Sequence, residues 1–203
     1  MDAIVNVWKP VGWTSFDVVK KIKGVVRPSK VGHAGTLDPF AEGILLICIG
    51  RMTKQVESLM NHTKEYIATI QLGSETDTLD TEGKVVEVAK ITPLSSEQIM
   101  VILNSFLGET NQIPPMYSAL RVQGKRLYKL AREGKVVDRK PRKITIDEIE
   151  LLARNEDSLK IRVKCGRGTY IRVLASDIAK NMNTVGFLKS LVRTQVGEFK
   201  QED

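Results

Sequence analysis

The segment GHAGTLDPFAEG, residues 32–43, decides how this chain of 203 residues folds and where its chemistry lies. Gly32 and Gly35 let the backbone approach another segment closely, because glycine has no Cβ. Pro39 keeps Asp38 out of the helical region, so the carboxylate is held on a stiffened, extended loop. The following run, 43–50, is apolar and bounded by glycines, which predicts a buried strand. A carboxylate held in this way can be catalytic, although Asp-Pro is also ordinary turn chemistry.

Strand and helix signals alternate irregularly on both sides of this segment. Strands are predicted at 4–8, at 66–72 with 85–88 as its partner, and at 143–152, 159–165 and 188–196. Helices are predicted at 51–60, from a cap at Ser95 to Phe106, at 125–133 and at 169–181. A further helix begins at Thr14 or Ser15 and has an apolar face formed by Phe16, Val19, Ile22 and Val26. Helices mixed with hairpin-like strands predict an α+β domain around a mixed or antiparallel sheet.

Composition excludes several classes of protein. Hydrophobic residues make up 42% and charged residues 27% of the chain, as in a soluble globular protein. There is no glycine-rich phosphate-binding motif, which argues against a nucleotide-cofactor fold. Cys48 and Cys165 lie in apolar runs and are predicted to be buried, reduced thiols, and the sequence predicts neither a metal site nor a cofactor. Without a signal peptide or a membrane-length apolar run, a cytoplasmic protein without membrane contact is expected.

Positive charge is concentrated in residues 113–143, which we call the basic segment. It contains ten basic and two acidic residues, whereas the whole chain has a net charge of +7, so the remainder carries about −1. A charge run is usually a solvated surface face. Pro114, Pro115 and Gly124 favour instead a thumb-like hairpin that clasps a phosphate backbone, with Lys125 and Arg126 among its contacts.

Segment 32–43 closely resembles the signature of the tRNA pseudouridine-55 synthase (TruB) family. Further blocks resemble that family in the same order: Lys9-Pro10 with Gly12, Thr14 and Ser15; 64–66 with 72–83; 112–120 with Gly124-Lys125; 165–172; and 191–194 with Gly197. The resemblance runs from about residue 5 to 199. It implies a pseudouridine synthase catalytic domain over 1–203, with the basic segment as an insertion. It also implies a cofactor-free enzyme that isomerises uridine in the T loop of tRNA.

The resemblance assigns roles to matching residues. Asp38 would be the essential aspartate, which attacks or deprotonates the ribosyl unit so that uracil can detach, rotate and rejoin through carbon. Tyr66 would pack on the target base and take part in removing its proton. Arg172 would pair with Asp38 and keep it ionised and oriented, since a guanidinium is a fixed two-pronged donor. Asp80 would complete this network from the other side, although an acidic loop beside Gly83 is also good turn chemistry.

The remaining roles concern the substrate. A uridine inside a folded T loop must be flipped out, which costs a few kcal/mol. His33 would fill the space that the flipped base leaves, and Leu191 would line the uracil pocket. Gly35 belongs to the substrate-binding loop, and Lys9 with Pro10 would support the loop that carries Asp38. Arg167 stands where the family often has lysine, which keeps the charge.

The end of the chain also departs from the family pattern. Relatives usually continue into a small C-terminal RNA-binding module, whereas this sequence stops at Asp203. A monomer that acts on the tRNA T stem-loop without an obligatory protein partner is expected. Two alternatives remain open, namely a tRNA-binding chaperone that does not require catalysis and a guide-RNA-directed synthase that modifies ribosomal RNA.

Overall fold

The computed structural model describes residues 1–27, 29–122 and 124–201. Within those ranges a nine-stranded sheet is formed by β1 (Ala3–Lys9), β2 (Val31–Ala34), β3 (Glu42–Ile49), β4 (Lys64–Leu72), β7 (Gly108–Gln112), β10 (Arg142–Arg154), β11 (Ser158–Cys165), β12 (Gly186–Val196) and β13 (Phe199–Lys200). Two small hairpins add β5 (Ser74–Thr76) with β6 (Val85–Val88), and β8 (Arg121–Val122) with β9 (Lys125–Arg126). The helices are α1 (Ser15–Val25), α2 (Val56–Met60), α3 (Ser96–Asn104), α4 (Leu127–Arg132) and α5 (Ile171–Asn181).

The sheet is mixed, which confirms the predicted α+β fold. Its order is β1-β3-β12-β4-β11-β10-β7, with β2 also paired to β3 and β13 to β12. Strand β12 runs parallel to β3, where Val192 is opposite Glu42 and Arg193 is opposite Gly43. It runs antiparallel to β4 along almost its whole length. A strand from near the end of the chain therefore joins the N-terminal strands to the rest of the sheet.

Burial follows the sequence pattern in the central strands. Strand β4 alternates buried and half-buried residues from Lys64 to Leu72, as expected for a strand with one face on the core. Strand β3 is buried from Gly43 onwards, because apolar clusters cover both of its faces. Predicted helix starts are confirmed by capping boxes, in which Thr14 pairs with Asp17 and Ser95 with Gln98.

The predicted partner of β4 is wrong. Segment 85–88 forms β6, which pairs with β5 and is exposed throughout, whereas β4 pairs with β11 and β12. Alternation predicts which face of a strand is buried, and it does not specify the neighbouring strand. Strand β11 carries the stronger apolar face, and Leu159, Ile161 and Val163 are buried there against the core.

Three predictions about helices also need correction. The helix predicted at 125–133 is shorter, because Lys125 and Arg126 form β9 and only Leu127–Arg132 is helical. The helix predicted at 51–60 is a 3-10 turn, Gly50–Gln55, followed by α2. Phe16 does not belong to the buried face of α1, since 59% of its surface is exposed, while Val18 and Val19 are buried.

Two parts of the sequence predictions fall outside the described residues. They are the side chain of Arg121, one of the ten basic residues of the basic segment, and the last two residues, 202–203, of the predicted domain. Both predicted buried thiols, Cys48 and Cys165, are buried and free. Within the described ranges, none of the helices is long and apolar enough to cross a membrane.

Replacing Gly43 by alanine should disrupt the junction between β3 and β12. Gly43 has φ +113°, and a Cβ there would lie 2.6 Å from the backbone nitrogen of Arg193 and collide with its carbonyl oxygen. We expect Gly43→Ala to lower the free energy of unfolding by more than about 3 kcal/mol, since backbone atoms cannot move aside. Urea unfolding would measure this.

A matched control separates the collision from the backbone conformation. Gly108 has φ +85° and nothing within 4 Å of an added Cβ, so Gly108→Ala should cost only the conformational strain, about 1–2 kcal/mol. Equal losses in the two variants would contradict the role given to the close approach.

Candidate active site

A cleft of about 420 Å³ opens where the central strands β4 and β12 meet the loop between β2 and β3. It has the size of an ordinary small-ligand site. The sequence predictions placed Gly35, Asp38, Tyr66, Arg172 and Leu191 in the site, and all five line this cleft. Residues 117–120 of the basic segment form another part of its wall.

Arg172 organises the bottom of the cleft from the first turn of α5. Its Nε lies 2.8 Å from Oδ2 of Asp38, and its Nη1 lies 3.3 Å from Oδ2 of Asp80. The same guanidinium donates hydrogen bonds to the backbone carbonyls of Thr78 (2.9 Å) and Tyr117 (2.8 Å). The donors of one arginine therefore hold Asp38, the acidic loop and the basic segment in a fixed arrangement.

The three charged groups of this network differ in accessibility. The side chain of Asp38 is 35% exposed, whereas those of Arg172 and Asp80 are 5% and 3% exposed. Burial raises the pKa of Asp38 above its usual value; the charge of Arg172 works against this, and Asp80 adds to it. Because Asp38 is much more exposed than Asp80, it is the acidic group of the network that can reach a ligand.

Asp80 lies behind Arg172 and is held by its own loop. Its Oδ1 accepts hydrogen bonds from Oγ1 of Thr78 (2.5 Å) and from the backbone nitrogen of Glu82 (2.9 Å). The turn chemistry expected of this loop and the ion pair with Arg172 are thus both present. Asp80 contacts Arg172 and does not itself line the cleft.

Tyr66 and Leu191 form an apolar wall beside the acid. They lie on neighbouring strands, with Tyr66 opposite Arg193 and Leu191 opposite Ala68 in the pairing of β4 with β12. Burial raises the pKa of Tyr66, although the charge of Arg193 lowers it. The phenol is therefore neutral at physiological pH and offers a flat ring together with one hydroxyl group.

The other predicted contacts lie farther from the acid. His33 is half-buried on β2 outside the cleft lining, its Nδ1 is buried without a hydrogen-bond partner among the described residues, and burial lowers its pKa. Lys125 and Arg126 are exposed on β9, beyond the part of the basic segment that lines the cleft. These placements leave His33, Lys125 and Arg126 free to meet the flanks of a large ligand.

Comparison with known proteins agrees with this arrangement. The family model described as TruB family pseudouridylate synthase (N terminal domain) matches residues 23–171. A protein from Clostridium novyi named tRNA pseudouridine synthase B is 50% identical over all 203 residues, which span 70% of its length. Its namesake from Phocaeicola vulgatus is 48% identical over 96% of this chain and 86% of its own length.

The chain belongs to the TruB family. A solved structure entitled "Crystal Structure of a Cbf5-Nop10-Gar1 Complex" shares the fold, with 29% identity and a TM-score of 0.76 over 98% of this chain. This chain spans half the length of the matching chain in that structure. The chain is accordingly a pseudouridine synthase, an enzyme that isomerises uridine to pseudouridine.

Three buried cations besides Arg172 lie near the TruB-family cleft, and only one of the three was given a supporting role from sequence. Lys9 donates from Nζ to the carbonyl of Pro39 at 3.3 Å, as expected of a residue that supports the loop carrying Asp38. Lys64 donates to the carbonyls of Met60 and His62 at 2.5 and 2.6 Å. Burial lowers the pKa of both lysines to about 8.

The third buried cation, Arg193, is 1% exposed and lines the cleft. It donates from Nε to the carbonyl of Ile44 at 2.6 Å and from Nη2 to that of Gly35 at 3.2 Å. Neither Lys64 nor Arg193 was given a role from sequence. The alternation of side chains along a strand could have indicated both residues. Lys64 is two residues before Tyr66 and Arg193 is two residues after Leu191, so each lies on the same buried face as a predicted site residue.

Removing the shared cation should destabilise the protein in a pH-dependent way. Arg172→Met leaves the buried Asp80 and the partly buried Asp38 without their partner, so we expect a loss of about 3–5 kcal/mol at pH 8. Without Arg172 the folded-state pKa of Asp38 rises further above its unfolded value. The deficit should therefore shrink as the pH falls through that raised pKa, which urea unfolding at pH 8 and pH 5 would measure.

Arg167→Met serves as the control. Arg167 pairs with Glu57 at the surface, and such exposed pairs contribute less than about 1 kcal/mol. A loss of stability from Arg172→Met that is no larger than the control's, or that grows on acidification, would contradict the proposed network.

Proposed function

We propose that this enzyme acts on uridine 55 in the T loop of tRNA, and that Asp38 is the group that acts on the ribose. The observation that carries the proposal is the ion network at the bottom of the cleft, in which Asp38 alone among three charged groups is open to a ligand. The names of relatives at about 50% identity support tRNA as the substrate.

The substrate and the product of the reaction contain the same atoms. The bond between C1′ and N1 of uridine breaks, the base rotates, a bond between C1′ and C5 forms, and the proton on C5 is lost while N1 gains one. An ionised carboxylate beside the ribose can attack C1′ or remove a ribose proton, which allows the uracil to leave. Arg172 holds Asp38 for this step, since its Nε contacts Oδ2 of the carboxylate at 2.8 Å.

The base would bind between Tyr66 and Leu191. Both side chains line the cleft beside Asp38, so a uracil stacked on the phenol ring lies close to the carboxylate. Stacking on an aromatic side chain returns about 1–3 kcal/mol per base, which offsets the cost of flipping the nucleotide out of its loop. His33 lies outside the cleft and is proposed to enter the space that the flipped base leaves.

The basic segment would hold the phosphate backbone of the T stem-loop. Lys125, Arg126 and Lys129 are exposed, and among the described residues none of the three pairs with a carboxylate. The segment is anchored to the site, since Tyr117 accepts a hydrogen bond from Arg172. RNA bound to the segment is thereby connected to the group that orients Asp38.

The structural similarity to Cbf5 raises the alternative of an enzyme directed to its substrate by partner proteins and guide RNA. Identity favours the stand-alone enzyme, because relatives named tRNA pseudouridine synthase B are about 50% identical, compared with 29% for the Cbf5 chain. Activity of the purified protein on an isolated T stem-loop would decide between them. A chaperone would bind and refold tRNA equally well without its carboxylate.

Asp38→Asn should abolish product formation and keep RNA binding. The change removes the charge with almost no change in size, so Arg172 retains a hydrogen-bond acceptor. Tritium release from a T stem-loop labelled at C5 of uridine would report turnover, and filter binding would report affinity. Asp157→Asn, on the distant turn between β10 and β11, is the control and should release tritium as the unaltered protein does. Substantial turnover by Asp38→Asn would end the catalytic assignment.

Replacing Lys125, Arg126 and Lys129 by alanine should weaken RNA binding and flatten its salt dependence. Each lost phosphate contact lowers the slope of log Kd against log salt by about 0.7–0.9, so three contacts would lower it by roughly 2. A titration from 50 to 300 mM salt would measure the slope. An unchanged slope would show that the segment faces away from the RNA.

A further inference from the structure

A second surface beside the cleft combines exposed aromatic rings with positive charge. Trp13 and Phe16 are 40% and 59% exposed at the start of α1. The same helix and the residues after it present exposed basic side chains, those of Lys20, Lys21, Lys23, Arg27 and Lys30. We call Trp13, Phe16, Lys20, Lys21 and Lys23 the α1 surface.

The α1 surface is fastened directly to the loop that carries Asp38. The backbone nitrogen of Gly12 donates to the carbonyl of Pro39 at 2.8 Å. Oγ of Ser15 accepts from the nitrogen of Leu37 at 2.9 Å and donates to its carbonyl at 3.2 Å. The residues immediately before and after Asp38 are thus held by the segment that bears the two aromatic rings.

The burial pattern shows that the rings are not part of the core. Helix α1 packs against β3 through Val18 and Val19, and its only charged residue in the first turn is Asp17, which caps the helix. Phe16 projects to the other side, where Nζ of Lys20 lies 5.2 Å from its ring centroid. An exposed ring accompanied by an ammonium group is the arrangement that proteins use to stack a base and hold its phosphate.

The charge distribution also favours a polyanion as partner. Residues 11–30 contain five basic residues and one acidic residue, which is a net charge of +4. With the basic segment at +8, the rest of the chain carries about −5. The excess of positive over negative charge is therefore concentrated in these two segments, and each is connected by hydrogen bonds to the residues of the site.

We propose that the α1 surface is a second RNA-binding surface, which contacts nucleotides next to the one held in the cleft. Trp13 and Phe16 stack on unpaired bases, and Lys20, Lys21 and Lys23 bind the phosphates between them. The proposal rests on the proposed function for the identity of the RNA. It adds a binding surface that is held to the loop carrying Asp38 and is separate from the basic segment.

Two sets of substitutions test the two kinds of contact separately. Replacing Lys20, Lys21 and Lys23 by alanine should raise the Kd for a T stem-loop about tenfold at low salt and lower the salt slope by roughly 2. Replacing Trp13 and Phe16 by alanine should raise the Kd about tenfold and leave the salt slope unchanged. Both sets should raise KM at constant kcat, because the contacts are equally strong in the ground and transition states.

Controls keep the test specific. Lys90, Lys160 and Lys189 are exposed around the far end of β4, and their replacement by alanine removes the same charge. That variant should keep the original Kd and salt slope. Phe16→Tyr keeps a stacking ring and should bind as the unaltered protein does, which separates loss of stacking from misfolding.

The outcomes distinguish this inference from the proposed function. If the unaltered protein forms pseudouridine and the α1 variants bind RNA as tightly as before, the inference is wrong and the proposed function stands. If no pseudouridine forms, the proposed function is wrong, and the two binding measurements still decide whether α1 contacts RNA. Loss of self-association in the Trp13 and Phe16 variant, with unchanged RNA binding, would make the surface a protein interface and overturn the inference.

Discussion

The site depends on the ion pairs and hydrogen bonds that the guanidinium of Arg172 makes. Its donors reach Asp38 between β2 and β3, Thr78 and Asp80 after β5, and Tyr117 in the basic segment, which are distant from one another in sequence. Helix α5 supplies a rigid base, and the planar group fixes all its partners at once. Of the two carboxylates that Arg172 contacts, Asp38 is the one that is accessible from the cleft.

The cations around this network are buried, in contrast to the accessible acid. Lys9, Lys64 and Arg193 donate to backbone carbonyls, and within the described part of the chain none forms an ion pair with a carboxylate. Carbonyl oxygens satisfy their hydrogen bonds without cancelling their charge. The cleft therefore retains a positive field around an exposed acid, which suits an anionic ligand that must approach a carboxylate. Each of these cations occupies a buried position in the alternating pattern of its strand.

Sequence predicted the architecture and the central acid because both have short-range signals. Alternation located β11 and, in part, β4, and the segment around Asp38 was singled out by its resemblance to the TruB signature. Two features depended on contacts between distant residues and escaped prediction. The partner of β4 was one, because alternation gives a face and not a neighbour. The exposure of Phe16 was the other. Apolar residues occur on more than one side of α1, and the position of β3 decides that the side with Val18 and Val19 is the buried one.

The position of β12 affects how the protein is made. Translation proceeds from the N-terminus, so one long edge of β4 emerges with its hydrogen-bonding groups unpaired, and it remains so until residues 186–196 have been synthesised. The same strand supplies Leu191 and Arg193 to the cleft. A nascent chain can form its helices and hairpins early, but it gains a complete site only once residues 186–196 have been synthesised. During that interval the open edge of β4 can pair with a strand of another chain.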